Sequence, residues 1–200
     1  MRTETELAKY STDILVRELA QRNNLVDSEG RINSIVLDEI IIPNMPISCV
    51  DVIPVRHTER GYEIGIIKRG TGSQAGKLAI VGGRIFKDEY PNDAIRRHLI
   101  KDLNVHGFAH FGKATDHSPF FLQMYAHANS SQAEGYGFDP TKQAITLTYL
   151  VQIDEQPQPS GDEAIEYLWI DSEEQIPEDT AFNHGVAMRN AIRHLKDIEI

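Results

Sequence analysis

The chain has 200 residues, enough for one domain with an appendage, and its 40% apolar content, with seven Phe, seven Tyr and one Trp, can fill a core. Twenty Lys and Arg against thirty Asp and Glu leave a formal net charge of −10, which disfavours general nucleic-acid binding because a polyanion would be repelled. One cysteine, Cys49, excludes an internal disulfide and a thiolate zinc cluster; no apolar run reaches the ~18–20 residues of a membrane span, and the N-terminus is too polar for a secretory leader, so a cytoplasmic protein without membrane contact is expected.

Residues 4–23 place Leu7, Tyr10, Ile14, Leu15, Val16 and Leu19 near one helical stripe, ended by Asn23-Asn24 and a polar turn. Residues 35–42 form a β-branched apolar run, predicted as a strand and stopped by Pro43 and Pro46. Strands are then predicted over 48–55 and 62–69, joined as a hairpin, and over 78–81 after a Gly- and Ser-rich loop. The spacing over 91–103 predicts a helix with Pro91 in its first turn and Ala94, Ile95, Leu99, Ile100 and Leu103 as its buried stripe. Further strands are expected at 120–127, 144–153 and 165–170, with loops at 113–119 and 129–140, and a last helix at 182–196. Strands with a few helices make an α+β pattern rather than a doubly wound sheet.

The stretch that carries chemistry is 82–105, GGRIFKDEYPNDAIRRHLIKDLNV. A glycine pair at a strand end lets backbone approach a ligand closely. Glu89 follows Gly83 by six positions, and the helix behind it carries Arg97, His98, Lys101 and Asp102. This stretch resembles the signature of the Nudix hydrolases: Gly, five residues, Glu, seven residues, then Arg-Glu-apolar-x-Glu-Glu-x-Gly-apolar. Gly83, Glu89, Arg97, Leu99 and Val105 match in place, and Asp102 replaces the last glutamate. His98 and Lys101 stand at the other two glutamate positions and Asn104 at the glycine, where asparagine tolerates the left-handed conformation. Within that family the chain is most similar to GDP-mannose mannosyl hydrolases. The similarity spans roughly residues 47–197 through Lys68-Arg69, Gly82-Gly83-Arg84, Lys87-Asp88-Glu89, Asp162-Glu163 before Tyr167 and Trp169, and His184 followed by Arg189.

The resemblance implies a Nudix-type α/β/α sandwich with a mixed sheet over residues 46–200, preceded by a helix-and-strand extension over 1–45 whose apolar stripe suits a homodimer. It also implies a Mg2+ or Mn2+ ion among hard oxygen donors: the Gly82 carbonyl, Glu89 or Asp102, and Glu163. Arg69 and Arg84 would grip a diphosphate, Arg97 would pair with Glu89, and Glu89, Arg97 and Asp102 would form the catalytic set. Metal and guanidinium together would neutralise the charge of the departing group. The histidine that serves those relatives as general base falls on Ala164, leaving Glu163, His98 or a loop histidine such as His117 as bases.

Plainer readings stand beside these. Glu89 with Arg97 can be a structural ion pair, Arg69 and Arg84 ordinary strand-end charges, and Glu163 a solvated loop carboxylate. His98 can bond to Asp102 one turn on, and Cys49 can be a small buried hydrophobe. His106, His110, His117 and His127 lack zinc spacing, and Gly70-Thr71-Gly72 lacks the ending of a phosphate loop. The expected function is metal-dependent hydrolysis of a nucleoside diphosphate linked to another group, nucleotide-sugars foremost. The alternatives are a catalytically impaired binding or regulatory protein on the same fold and a scaffold with a vestigial site.

Overall fold

The computed structural model describes residues 31–32, 36–72, 74–112, 119–127 and 137–198. The helix expected over 4–23, the 113–118 loop with His117, and most of the 129–140 loop lie outside them. Strand β1 (Ile47–Thr58) is buried along most of its length because it runs through the middle of the sheet. One edge pairs in parallel with β8 (Ala144–Gln152) over nine residue pairs. The other edge is shared: Val55–Thr58 pair with β2 (Gly61–Arg69) as the expected hairpin, whereas Cys49–Val52 pair with β4 (Val81–Arg84). β2 also pairs with β3 (Leu78–Ala79) and β9 (Ala164–Ile170), with a register shift at Lys68/Arg69. The chain from 78 to 84 therefore crosses from β2 to β1, and Ile80 marks the break.

Alternation along these strands sorts the core into two layers. Val50, Val52, Ile67, Ala79, Val81, Tyr149 and Val151 meet Ala94, Ile95, Leu99 and Leu103 of helix α1 (Pro91–Leu103). Ile53, Val55, Ile64, Ile66, Ile80 and Leu150 meet Ala187, Met188, Ala191, Ile192 and Leu195 of helix α2 (Gly185–Ile198). A mixed sheet between two helices is the α/β/α sandwich expected. Each large aliphatic side chain fully removed from water contributes ~1.5–3 kcal/mol, so these two layers supply most of the stability.

Helix α1 runs as predicted from Pro91 to Leu103. Asn104 adopts the left-handed conformation (φ 54°), and the N–H groups of Asn104 and Val105 return to the carbonyls of Ile100 and Leu99. Its buried stripe differs from the expectation. Ile100 is 37% exposed, whereas His98 and Asp102 are buried, because 94, 98 and 102 repeat every four residues beside 95, 99 and 103. Residues 37–44 are also not a strand: a π-turn (Leu37–Ile41) runs into one α-turn (Ile42–Asn44). Both edges of β1 are already taken, and the apolar run instead packs Leu37, Ile41 and Ile42 beside Ile47, Cys49 and Ala144. A short apolar run does not by itself distinguish helix from strand. The two-residue β5 (Ala109–His110) pairs with β8, and β7 (Gly137–Asp139) pairs in parallel with β6 (Phe121–His127) where a loop was expected. β6 in turn pairs antiparallel with β8.

Candidate ligand-binding cleft

Where strand 78–84 leaves β2 for β1, a cleft of about 470 Å3 opens between the second half of α1 and the segment leading into α2. Gly82 and Gly83 form its waist, and each is small for a different reason. A Cβ at Gly82 would lie 2.4 Å from Asp51 Oδ1, and one at Gly83 would lie 2.6 Å from the His98 ring. The glycine pair thus admits the chain's own Asp51 and His98 to the site.

The wall on the α1 side is braced by Arg97. Its Nε donates to Glu89 Oε1 and its Nη2 to Glu89 Oε2, each at 2.7 Å. Nη2 also reaches the Arg84 carbonyl at 2.8 Å, and the guanidinium lies over the Phe86 ring at 3.8 Å. The Phe86 N–H donates to Glu89 Oε2. Burial alone would raise the Glu89 carboxyl, but the hydrogen bonds from Arg97 and Phe86 outweigh it and hold the pKa below the ordinary value. Both Glu89 oxygens are therefore engaged in holding the 84–89 loop to α1. The pairing of Arg97 with Glu89 expected from sequence is present.

Behind this brace sits Asp102, 2% exposed, with His98 Nδ1 3.7 Å from Oδ2 and Lys101 Nζ 3.5 Å from Oδ1. The His98–Asp102 contact is longer than a hydrogen bond, and both His98 Nδ1 and Asp102 Oδ1 are buried without a hydrogen-bond partner among the described residues. His98 and Lys101 line the cleft; Asp102 and Glu89 do not. Across the opening, Arg69 Nη2 meets Glu163 Oε2 at 2.9 Å, and its guanidinium lies 5.1 Å from the Phe182 ring. Ala164 is fully buried in the core on the α1 side, so that position does not face the cleft.

The floor was largely missed by the sequence reading. Asp51, Asp139, Thr146, His184 and Cys49 are all buried there. The Ile80 N–H, freed by the strand break, donates to His184 Nδ1 at 2.9 Å. Burial, with the nearby Arg69 charge adding to it, pushes the His184 pKa down to about 3. The ring is therefore neutral with its proton on Nε2, which faces Asp51 Oδ2 at 3.7 Å. Asp139 accepts from the Thr141 N–H, the Thr141 hydroxyl and Lys142. The Cys49 thiol is pushed up to about 12 by burial and by Asp51, which makes it the inert small hydrophobe expected. One signal for this floor was available: Asp51 interrupts an otherwise apolar strand, ISCVDVIPV, and a charge inside a core strand is kept only with partners.

A divalent ion needs several oxygen donors converging at about 2.0–2.6 Å. Each carboxylate of the expected set is instead engaged by a cation or buried. Glu89 is held by Arg97, Glu163 by Arg69, and Asp102 lies behind His98 and Lys101. Among the described residues no group of three His, Cys, Asp or Glu side chains is arranged to hold a metal. The residues present therefore do not fit the ion implied by the resemblance. What the cleft presents is cationic: Arg31, Arg69, Arg84, Arg97, Lys101 and Lys142 line it, against Asp51, Asp139 and Glu163.

A family model described as "Domain of unknown function (DUF4916)" matches residues 28–196. No curated protein matches the chain by sequence. Among solved structures, a protein of Jonesia denitrificans described as a possible asymmetric diadenosine tetraphosphate (Ap4A) hydrolase superposes with a TM-score of 0.63 at 24% identity, over 76% of this chain and 96% of that one. The Nudix domain of Shewanella oneidensis NrtR, complexed with ADP-ribose, gives 0.50 at 16% identity over 100% of each chain. A MutT Nudix hydrolase of Burkholderia pseudomallei gives 0.52 at 17% identity over 72% and 98%. The architecture is the Nudix fold, named in the descriptions of the Shewanella and Burkholderia neighbours.

Proposed function

The chain belongs to the family described as domain of unknown function DUF4916, and on its Nudix fold we propose that it binds a nucleoside diphosphate derivative, with a nucleotide-sugar as the favoured class. One observation carries the reading: a chain of net charge −10 lines one cleft with six Arg and Lys against three lining carboxylates, Glu89 and Asp102 standing behind Arg97 and Lys101. Concentrating cations against the overall charge of the molecule is what recognition of a compact polyanion requires. The cations stand at the rim and the buried carboxylates Asp51 and Asp139 on the floor. A ligand whose diphosphate is flanked by groups bearing hydroxyl or N–H donors matches both. The ADP-ribose complexed with the Shewanella domain is a ligand of that kind.

Metal-dependent hydrolysis of the same compounds is the reading favoured by the signature spacing and by the hydrolases among the structural neighbours. The positions of Glu89, Asp102 and Glu163 favour binding over turnover. The test is a panel of GDP-mannose, ADP-ribose, Ap4A and inorganic diphosphate, followed both by thermal shift and by release of phosphate or sugar with Mg2+ or Mn2+. Stabilisation by one member without release supports binding; a ligand at ~100 times its Kd stabilises by about 2.7 kcal/mol. Metal-dependent release that Glu89→Gln abolishes would establish a hydrolase instead. The homodimer proposed through residues 1–45 is read by light scattering at micromolar concentration, where a monomer would remove it.

A further inference from the structure

The α1 wall of the cleft carries a charge opposite to the one its helical positions suggest. Where the Nudix signature has two glutamates, His98 and Lys101 point into the cleft. The acidic residue that remains, Asp102, is buried behind them and faces both side chains at under 4 Å. The Lys101 side chain is more than half exposed, so its ammonium can swing from Asp102 to a ligand without breaking packing. Arg84 stands exposed on the strand opposite, and among the described residues no carboxylate pairs with it.

A bridging cation is needed where carboxylates must hold phosphates, since the two anions would otherwise repel. A wall of His98 and Lys101 has no such need, and its ammonium would repel a divalent ion bound beside it. We infer that this cleft holds a diphosphate directly on its own fixed cations, Lys101 and Arg84 foremost, without a divalent ion between protein and ligand. The inference rests on the ligand reading above and specifies how the phosphates are neutralised.

Titration calorimetry on the full chain with inorganic diphosphate and with ADP-ribose, once in EDTA and once in excess Mg2+, tests it. The expected result is saturable binding with Kd values within about threefold of each other in the two buffers, weakened about five- to tenfold by Lys101→Ala and restored by Lys101→Arg. The double variant His98→Glu/Lys101→Glu is expected to bind only with Mg2+. Binding of the wild type that requires Mg2+, or a Lys101→Ala variant that binds as tightly as wild type, would overturn the inference and leave the ligand reading standing. No binding of either compound in either buffer would overturn both. Thermal unfolding of each variant confirms that it is folded, and Lys101 is exposed enough for its replacement to be tolerated.

Discussion

The two sides of the cleft handle charge in opposite ways. On the α1 side, Arg97 and Glu89 meet through two 2.7 Å bonds at a partly exposed position, so charge is met by charge and the loop between them is fixed. On the floor, His184 is kept neutral at the strand break, where its ring accepts from the backbone N–H of Ile80 and faces Asp51. The α1 side is an electrostatic brace that tolerates water. The floor is a buried polar arrangement in which burial keeps the His184 ring neutral. Ionisation on the α1 side should therefore resist acid until low pH, whereas the floor should yield first.

That contrast is broken most sharply by pH. The His184 pKa lies near 3 in the fold against an ordinary value of 6.5, so the unfolded chain takes up a proton that the folded chain refuses. Stability is complete above pH 6.5 and falls as pH drops toward 3, by up to about 1.4 kcal/mol per pH unit. The lowered Glu89 pKa acts in the same direction, but only below its ordinary value of 4.5. The window from pH 6.5 to 4.5 therefore reports His184 apart from Glu89. Urea unfolding across it should show a slope that a His184→Phe variant lacks; an unchanged slope would contradict the buried neutral ring.

Next in size is the brace. Glu89→Gln leaves the partly buried Arg97 without its anionic partner and should destabilise by about 1.5–3 kcal/mol, read at neutral pH by urea midpoint. Arg84→Ala should leave that midpoint within ~0.5 kcal/mol, because the residue is exposed, while weakening ADP-ribose binding by about 1 kcal/mol. The smallest effect is at the end of α1. Asn104→Ala should lose about 1 kcal/mol or less by placing an alanine at φ 54°, and Asn104→Gly should lose nothing.

Much of this fold was legible because local chemistry and packing agree. Pro91 opens α1, Asn104 closes it, and the strands over 48–55, 62–69 and 144–153 carry the β-branched apolar runs that burial on both faces demands. Two misreadings share a cause. The apolar run over 35–42 and the stripe containing Ile100 were judged by hydrophobicity, but which side of each faces the core depends on neighbours that sequence does not display. Both edges of β1 are taken and 37–44 packs as helical turns beside it, while a face including His98 and Asp102 displaced Ile100.

The site was legible only in part for a related reason. The contact of Glu89 with Arg97 follows the sequence spacing, since a loop and one helix connect them, whereas Gly83 meets the His98 ring. Glu163 and Asp102 were expected beside one ion, yet distant carboxylates converge only when nothing closer engages them. Here Arg69 and Arg97 reach Glu163 and Glu89 first, and the shorter Asp102 stays under α1. The floor residues Asp51 and His184 are 133 positions apart and joined only by the crossing of strand 78–84. No local pattern announces such a meeting.

The central claim is that the cationic rim is the ligand site. It is tested most directly by nitrogen-15 spectra of the arginine Nε–H groups during addition of ADP-ribose. The account predicts that Arg69 and Arg84 signals move in a saturable way. Arg56, paired with Glu63, and Arg193, paired with Glu173, should stay in place. Saturable shifts confined to Arg56 or Arg193, or no shift in any arginine at millimolar ligand, would contradict it.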